Sequence, residues 1–308
     1  MFKFITLQFD IDVVSEILID KNITKIKSNK GTYIVKKVDN DALESIYLRL
    51  FLLHNNVFNL PLRGKNDLFI QNEDDNYYVL FKYYEDISLV GLDLKLSFFI
   101  KNIASLHQAT YVELNANDNY LDSTLNYLDQ EVKNISDAIE SRMEVIEHND
   151  YHSPNDWYFM MHYHDFKLCL EEASRHILDF ENQIKDKKSL RVCLTYQNFD
   201  FNHILLKHEK IISLEKMNFN FASYDLYNMI SNLKINSLNI NNYLVQYLKI
   251  NPLLDYEKHY LVAILYIFTY HRYKENIDDL NHLIEINKYL SIIRNIQDEV
   301  IFSSQLEE

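Results

Sequence analysis

Between Leu190 and Ile230 the chain passes from strand to loop to hairpin to helix, an order that few folds accommodate. Val192-Cys193-Leu194 is a short apolar strand, and Tyr196 to His203 is a polar-aromatic loop. Ile204-Leu205-Leu206 and Ile211-Ile212-Ser213-Leu214 follow as two runs rich in β-branched residues. Lys207-His208-Glu209-Lys210 joins them, so the pair reads as a hairpin. Ser223 is then placed to cap a helix through Leu226, Met229 and Ile230, with Asp225 as the acid of its first turn.

This order resembles the catalytic loop and metal loop of kinase-fold phosphotransferases. It is most similar to the aminoglycoside phosphotransferase and choline kinase-like group, and within it to spore-coat kinase-like proteins of the CotS type. In that family the loop reads His-x-Asp, four residues, then Asn before an apolar strand; the hairpin returns into Asp-Phe-Asp, and an Asp-Leu pair opens the next helix. The resemblance puts Tyr196 at the His position, Asn198 at the catalytic Asp and His203 at the metal-binding Asn. Ser213 falls on the metal-binding Asp, Glu215 on the second acid, and Asp225-Leu226 on the helix-opening pair.

Each departure has a chemical consequence. Phosphoryl transfer needs a carboxylate to take the acceptor's proton and oxygen ligands to hold magnesium on the phosphates. An amide at Asn198 has no useful basicity. Magnesium wants hard oxygen donors, so the imidazole of His203 is a poor substitute, and the hydroxyl of Ser213 brings no charge. Together these imply a pseudokinase with no catalytic residue. A shifted register with Asp200 as the base would put Ile204 at the metal position. Asp225, which tethers the catalytic loop in active relatives, is then retained for architecture.

Upstream, Ile23 to Lys27 and Thr32 to Val35 flank Ser28-Asn29-Lys30-Gly31, a hairpin turn with Gly where positive φ is needed. Residues 1–38 read mostly as strands. The resemblance makes Lys36, rather than Lys37, the lysine that grips nucleotide phosphates; the alternative is a charged pair closing an edge strand. Asp41 to Asn55 has helical spacing with Asp41 as its cap, and Glu44 is the candidate partner for the lysine. Phe69-Ile70 and Tyr77 to Tyr83 form a second hairpin running into a hinge near Lys82 to Glu85, so Lys82 and Tyr83 join the nucleotide-binding candidates. The expected fold is α+β and bilobal kinase-like: a β-rich lobe of five strands and one helix over residues 1–83, and a helical lobe over 84–308.

The helical lobe opens at residue 92 with a helix ending near Thr110, in which Ala104 to Thr110 resembles the family's Leu-x-x-His segment and makes His107 a structural histidine. Leu121, Leu125, Leu128, Val132, Ile135, Ile139, Met143 and Ile146 step by three and four, one apolar stripe along a helix over Tyr120 to His148. Its expected partner is a neighbouring helix, Trp157 to Lys185, with apolar positions at Phe159, Leu168, Leu170, Ala173, Ile177, Leu178 and Phe180; a dimer surface is the alternative. Three further helices are expected at Asn239 to Leu248, Asp255 to Tyr273 and Asp278 to Val300, the last capped by Ile277-Asp278-Asp279, before an acidic tail at Gln305 to Glu308. His148, His152, His162 and His164 match no zinc spacing, so no metal site is expected.

Composition narrows the function classes. The 308 residues carry a net charge of −14, which argues against nucleic-acid phosphates and anionic lipid as partners. With three glycines, the chain has neither a Walker A loop nor a Gly-x-Gly-x-x-Gly loop. Two cysteines without metal spacing fit a reducing compartment, and no signal peptide or membrane-length apolar run is visible, so a cytoplasmic protein is expected, or a spore-coat one if the resemblance extends that far. The resulting expectation is an inactive kinase-like protein that binds a protein partner and uses no cofactor. The alternatives are an unconventional small-molecule kinase, or a sensor that holds ATP without magnesium.

Overall fold

The computed structural model describes residues 2–74, 76–85, 91–115, 118–233, 240–275 and 280–303. Two compact units emerge, one of Met1–Asn102 with Tyr196–Asn218, the other of Ile103–Thr195 with Phe219–Glu308. This division differs from the expected boundary at residue 83, because the loop and hairpin after Tyr196 pack with the sheet-bearing segment. Lys95 Nζ donates to the Phe201 carbonyl at 2.9 Å, Phe58 bridges Ile211, and the Phe99 ring meets Tyr196 and Phe199.

In the first unit, helix α1 (Phe2–Phe9) precedes strands β1 (Val13–Asp20), β2 (Ile23–Ser28) and β3 (Gly31–Val38). Helix α2 (Glu44–Leu52), then β4 (Ile70–Glu73) and β5 (Asn76–Lys82), complete an antiparallel five-stranded sheet of order β1-β2-β3-β5-β4. The β2–β3 turn forms as expected: Gly31 has φ +134°, which a side chain would resist, and Ser28 Oγ donates to its carbonyl. Strand alternation gives the sheet two different faces. Ile26, Val35 and Leu80 look toward α1 and bury Phe4 and Ile5, whereas Ile23, Ile34, Lys36 and Phe81 look the other way.

Helix α1 stands at the start of a region, residues 1–38, that reads mostly as strands. Its aromatic and β-branched residues favour a strand locally, and burial of Phe4 and Ile5 against the sheet overrides that preference. Helix α2 is also shorter than expected. It starts at Glu44 behind Leu43 with no side-chain cap, so Asp41 does not fill that role.

The second unit is built on helices. Helix α3 (Leu92–Thr110) crosses the boundary between units and is followed by β6 (Val112–Asn115), α4 (Asp118–Glu147), α5 (Pro154–Ile184) and β7 (Ser189–Thr195). The hairpin strands β8 (Ile204–Leu205) and β9 (Lys210–Ile211) belong to the first unit, and β10 (Asn218–Asn220) completes a second sheet of order β10-β7-β6. Helices α6 (Ser223–Asn232), α7 (Ile240–Ile250), α8 (Asp255–Glu275) and α9 (Leu280–Ile296) follow, with a π-helical turn at Gln297–Ile301. The expected cap at Ile277 to Asp279, the helix start at Asn239 and the tail at Gln305 to Glu308 lie outside the described residues.

The α4 stripe packs internally: Leu128, Ile135, Ile139 and Ile146 are buried, and α4 lies against α5 and α8. Helix α5 starts from a capping box in which Ser153 and Asp156 exchange hydrogen bonds, while Leu168 and Leu178, expected inward, are exposed. In α8, Leu261, Val262, Ala263, Leu265 and Tyr266 are all buried, as its all-round apolar pattern requires. Among the described residues no helix is long and apolar enough to cross a membrane.

Candidate active site

The loop after β7 is fixed by polar groups that satisfy one another. Tyr196 is buried, and its hydroxyl donates to the Ile212 carbonyl at 2.6 Å. His203 Nδ1 lies 2.9 Å from the Asn198 carbonyl and 3.2 Å from the Tyr196 hydroxyl oxygen. A carbonyl can only accept, so Nδ1 carries a proton. The Asn198 amide donates to the Ser213 carbonyl at 2.9 Å. Ser213 itself has φ +63°, a left-handed conformation that strains a residue with a Cβ. The hairpin is shorter than expected, since only Ile204–Leu205 and Lys210–Ile211 pair and the Leu206–His208 segment between them is a single 3-10 turn.

Lys36 points from β3 into this region and pairs with Glu215. Glu44, expected as that partner, is used elsewhere: its carboxylate accepts the backbone N–H groups of Phe69 and Ile70 at 2.8–3.0 Å. That correction has a local cause. The start of β4 exposes unpaired amides, and a carboxylate on the first turn of α2 is within reach of them. Burial raises the pKa of the Tyr47 phenol, and the charges of Glu215 and Glu44 raise it further. Asp200 is exposed and caps the 3-10 turn at Phe201–His203 by accepting from Asn202 N at 2.7 Å.

A cavity of about 350 Å³ opens beside these groups, lined by Lys36, Lys82, Tyr83, His203 and Ser213 among others. Five sequence candidates therefore meet in one space, while Asn198 is not among its lining residues and is bonded to Ser213 and His203. Sequence reasoning missed the apolar walls, Ile23, Ile34 and Phe81 from the sheet and Leu205 and Ile212 from the hairpin. Their signal was the alternation that sets Ile34 on the same face as Lys36. No Asp or Glu is among the described lining residues. The arrangement offers an apolar-walled space with Lys36 and Lys82 on its lining, Lys36 being paired with the Glu215 carboxylate.

The histidine and aspartate assigned to architecture occupy the second unit. His107 Nε2 is 2.9 Å from Asp225 Oδ2, and His107 Nδ1 is 2.6 Å from the Tyr247 hydroxyl. Tyr247 accepts from Asn251 Nδ2, and Asn251 Oδ1 accepts from the Tyr111 hydroxyl. The donors run one way: Tyr111 to Asn251 to Tyr247 to His107 to Asp225. That direction places the imidazole proton on Nε2. His107, Asp225, Tyr247 and Asn251 are all buried. Ser223 is not the expected cap of α6; its hydroxyl donates to the Glu257 carbonyl at 2.8 Å. Glu257, fully buried, also pairs with Arg191, a contact the sequence did not suggest.

No protein-family model matches the sequence, and no curated protein matches it either. Solved structures do. An aminoglycoside phosphotransferase from Alicyclobacillus acidocaldarius aligns over 96% of this chain and 93% of its own, with TM-score 0.63 and 13% identity. The AMP-bound complex of spectinomycin phosphotransferase aligns over 99% and 98%, with TM-score 0.54 and 12% identity. A microcompartment-associated aminopropanol kinase aligns over 96% and 94%, with TM-score 0.52 and 9% identity. At these identities the likeness is one of fold: a small antiparallel sheet unit and a larger helical unit, the kinase-like fold that these phosphotransferases share.

Proposed function

We propose that this chain is a kinase-fold protein that does not transfer phosphoryl groups and acts by binding. The observation behind this reading is the cavity beside Lys36, whose described walls include no carboxylate but do include His203 and Ser213, the residues that the resemblance sets at the metal positions. Asn198 is an amide without useful basicity, and its Nδ2 is spent on the Ser213 carbonyl, so it is not poised to take a proton from an acceptor. An unconventional kinase would need Asp200 or Glu215 as the acid. Asp200 is occupied as a cap, and Glu215 is neutralised by Lys36.

The cavity favours a ligand with a flat apolar ring and an anionic end, the chemistry of a nucleotide held by Lys36 without magnesium. In this reading the cleft senses or is locked by such a ligand, and the rest of the surface meets a protein partner. The net charge of −14 supports a counterpart other than nucleic acid or an anionic membrane. Buried, unpaired Cys169 and Cys193 support a reducing compartment. The CotS-type resemblance adds a spore-coat location, which immunolocalisation in a sporulating host tests.

The activity is tested by incubating the protein with ATP, magnesium and a panel of amino-alcohols and aminoglycosides. ADP should form no faster than in buffer. Acceptor-dependent ADP release that disappears in Lys36→Met would sink the proposal.

A further inference from the structure

A second cluster of chemical interest lies in the helical unit, apart from the residues assigned to the cleft. His176 and Asp179 stand one turn apart on α5 and meet His259 of α8. The two Nδ1 atoms are 2.8 Å apart, and Asp179 Oδ2 is 3.7 Å from His259 Nδ1. One donor atom from each of the three residues lies within 4.8 Å of the others, and among the described residues no other such trio of His, Cys, Asp or Glu converges. The clustered histidines at 148, 152, 162 and 164 do not take part.

Two imidazoles meeting nitrogen to nitrogen can share one proton, and a buried N–H···N bond is the plainest account of the contact. It leaves a loose end. His176 is 2% exposed, and its Nε2 is buried without a hydrogen-bond partner. The nearest carboxylate, Glu172, is 4.0 Å from that atom. A metal on Nδ1 fixes the tautomer with the proton on Nε2 and directs it at this carboxylate, the outer-shell arrangement typical of metal-bound histidine. Phe302 completes the surroundings, stacked on His176 at 19° and packed on His259 with centroids 4.9 Å apart. Its ring keeps water from one side and fixes both imidazole planes.

We propose that His176, Asp179 and His259 bind a divalent transition metal of the zinc class and so pin α5 to α8. Two imidazoles and one carboxylate select zinc, cobalt or nickel over magnesium and calcium. Tetrahedral ligands at zinc–nitrogen distance place two nitrogens about 3.3 Å apart, so the pair opens by about 0.5 Å on binding. Asp179, whose side chain is 39% exposed, gives the ion a route in, and water fills the fourth position. Arg175 and Lys258 oppose a cation here, while Glu172, Asp179 and Asp255 favour it.

The test is a calorimetric titration of the metal-free full-length chain with Zn²⁺, alongside the visible spectrum with Co²⁺. One site per chain and a d–d band of low-symmetry Co²⁺ are expected. Asp179→Asn, at a half-exposed position that does not threaten folding, and His259→Gln should each weaken the site at least about ten-fold. His162→Gln, a surface control, should leave it unchanged. Absence of the cobalt band in the parent chain would overturn the proposal, as would full zinc affinity in both Asp179→Asn and His259→Gln.

Discussion

The loop from Tyr196 to Ser213 and the relay from Tyr111 to Asp225 are both polar networks, yet they treat their chemistry in opposite ways. In the relay every donor has one acceptor, and His107, Asp225, Tyr247 and Asn251 are sealed from solvent. Removing one member strands a buried partner, so the network tolerates little change. In the loop the bonds that hold the backbone come from an amide, an imidazole and a phenol, and they reach main-chain carbonyls. Nothing in that geometry requires a carboxylate. The loop can therefore keep its path while the groups a phosphotransferase would use are replaced, whereas the relay cannot.

The sharpest way to break this contrast is Asp225→Ala. It leaves His107 Nε2 without its acceptor in a closed interior and should cost about 3–5 kcal/mol in urea unfolding. A loss under about 1 kcal/mol, the scale of an ordinary hydrogen bond, would show that the relay is no more demanding than the loop. Tyr247→Phe removes the hydroxyl between His107 and Asn251 and should cost about 2 kcal/mol by the same measurement.

Changes in the loop should be milder. Asn198→Asp loses the amide that donates to the Ser213 carbonyl and should destabilise by about 1 kcal/mol. It should bring no ADP formation, because His203 and Ser213 still supply no magnesium ligands. Ser213→Gly relieves the left-handed strain at φ +63° and should raise the unfolding midpoint, a gain of about 0.5–1 kcal/mol. A destabilised Ser213→Gly would mean that the serine side chain holds the loop in a way the hydrogen bonds do not reveal.

What could be read in the sequence was whatever short range decides. The Gly31 turn, the alternation of β3 and β5 and the three-four spacing of α4 carry their structure in neighbouring residues. The resemblance carried by the Leu190 to Ile230 loop system and by the Gly31 to Lys36 hairpin singled out Lys36, His203 and Ser213, and all three line one cavity. Partners set by the folded chain were not legible. Glu44 serves Phe69 and Ile70, 25 and 26 residues away, and Lys36 finds Glu215, 179 residues away. Ser223, a sound cap by local rules, turns instead to the Glu257 carbonyl. Helix α1 shows the same effect in secondary structure, where burial of Phe4 and Ile5 outweighs a strand-like sequence. The His176–His259 contact joins residues 83 apart, beyond any spacing rule for metal ligands.

The central claim is that the cleft has lost its magnesium chemistry. It is tested most directly by calorimetric titration with a non-hydrolysable ATP analogue, once with magnesium and once with a chelator. The account predicts the same affinity in both. Binding that requires magnesium, or that tightens about ten-fold with it, a gain of roughly 1.4 kcal/mol, would contradict the account.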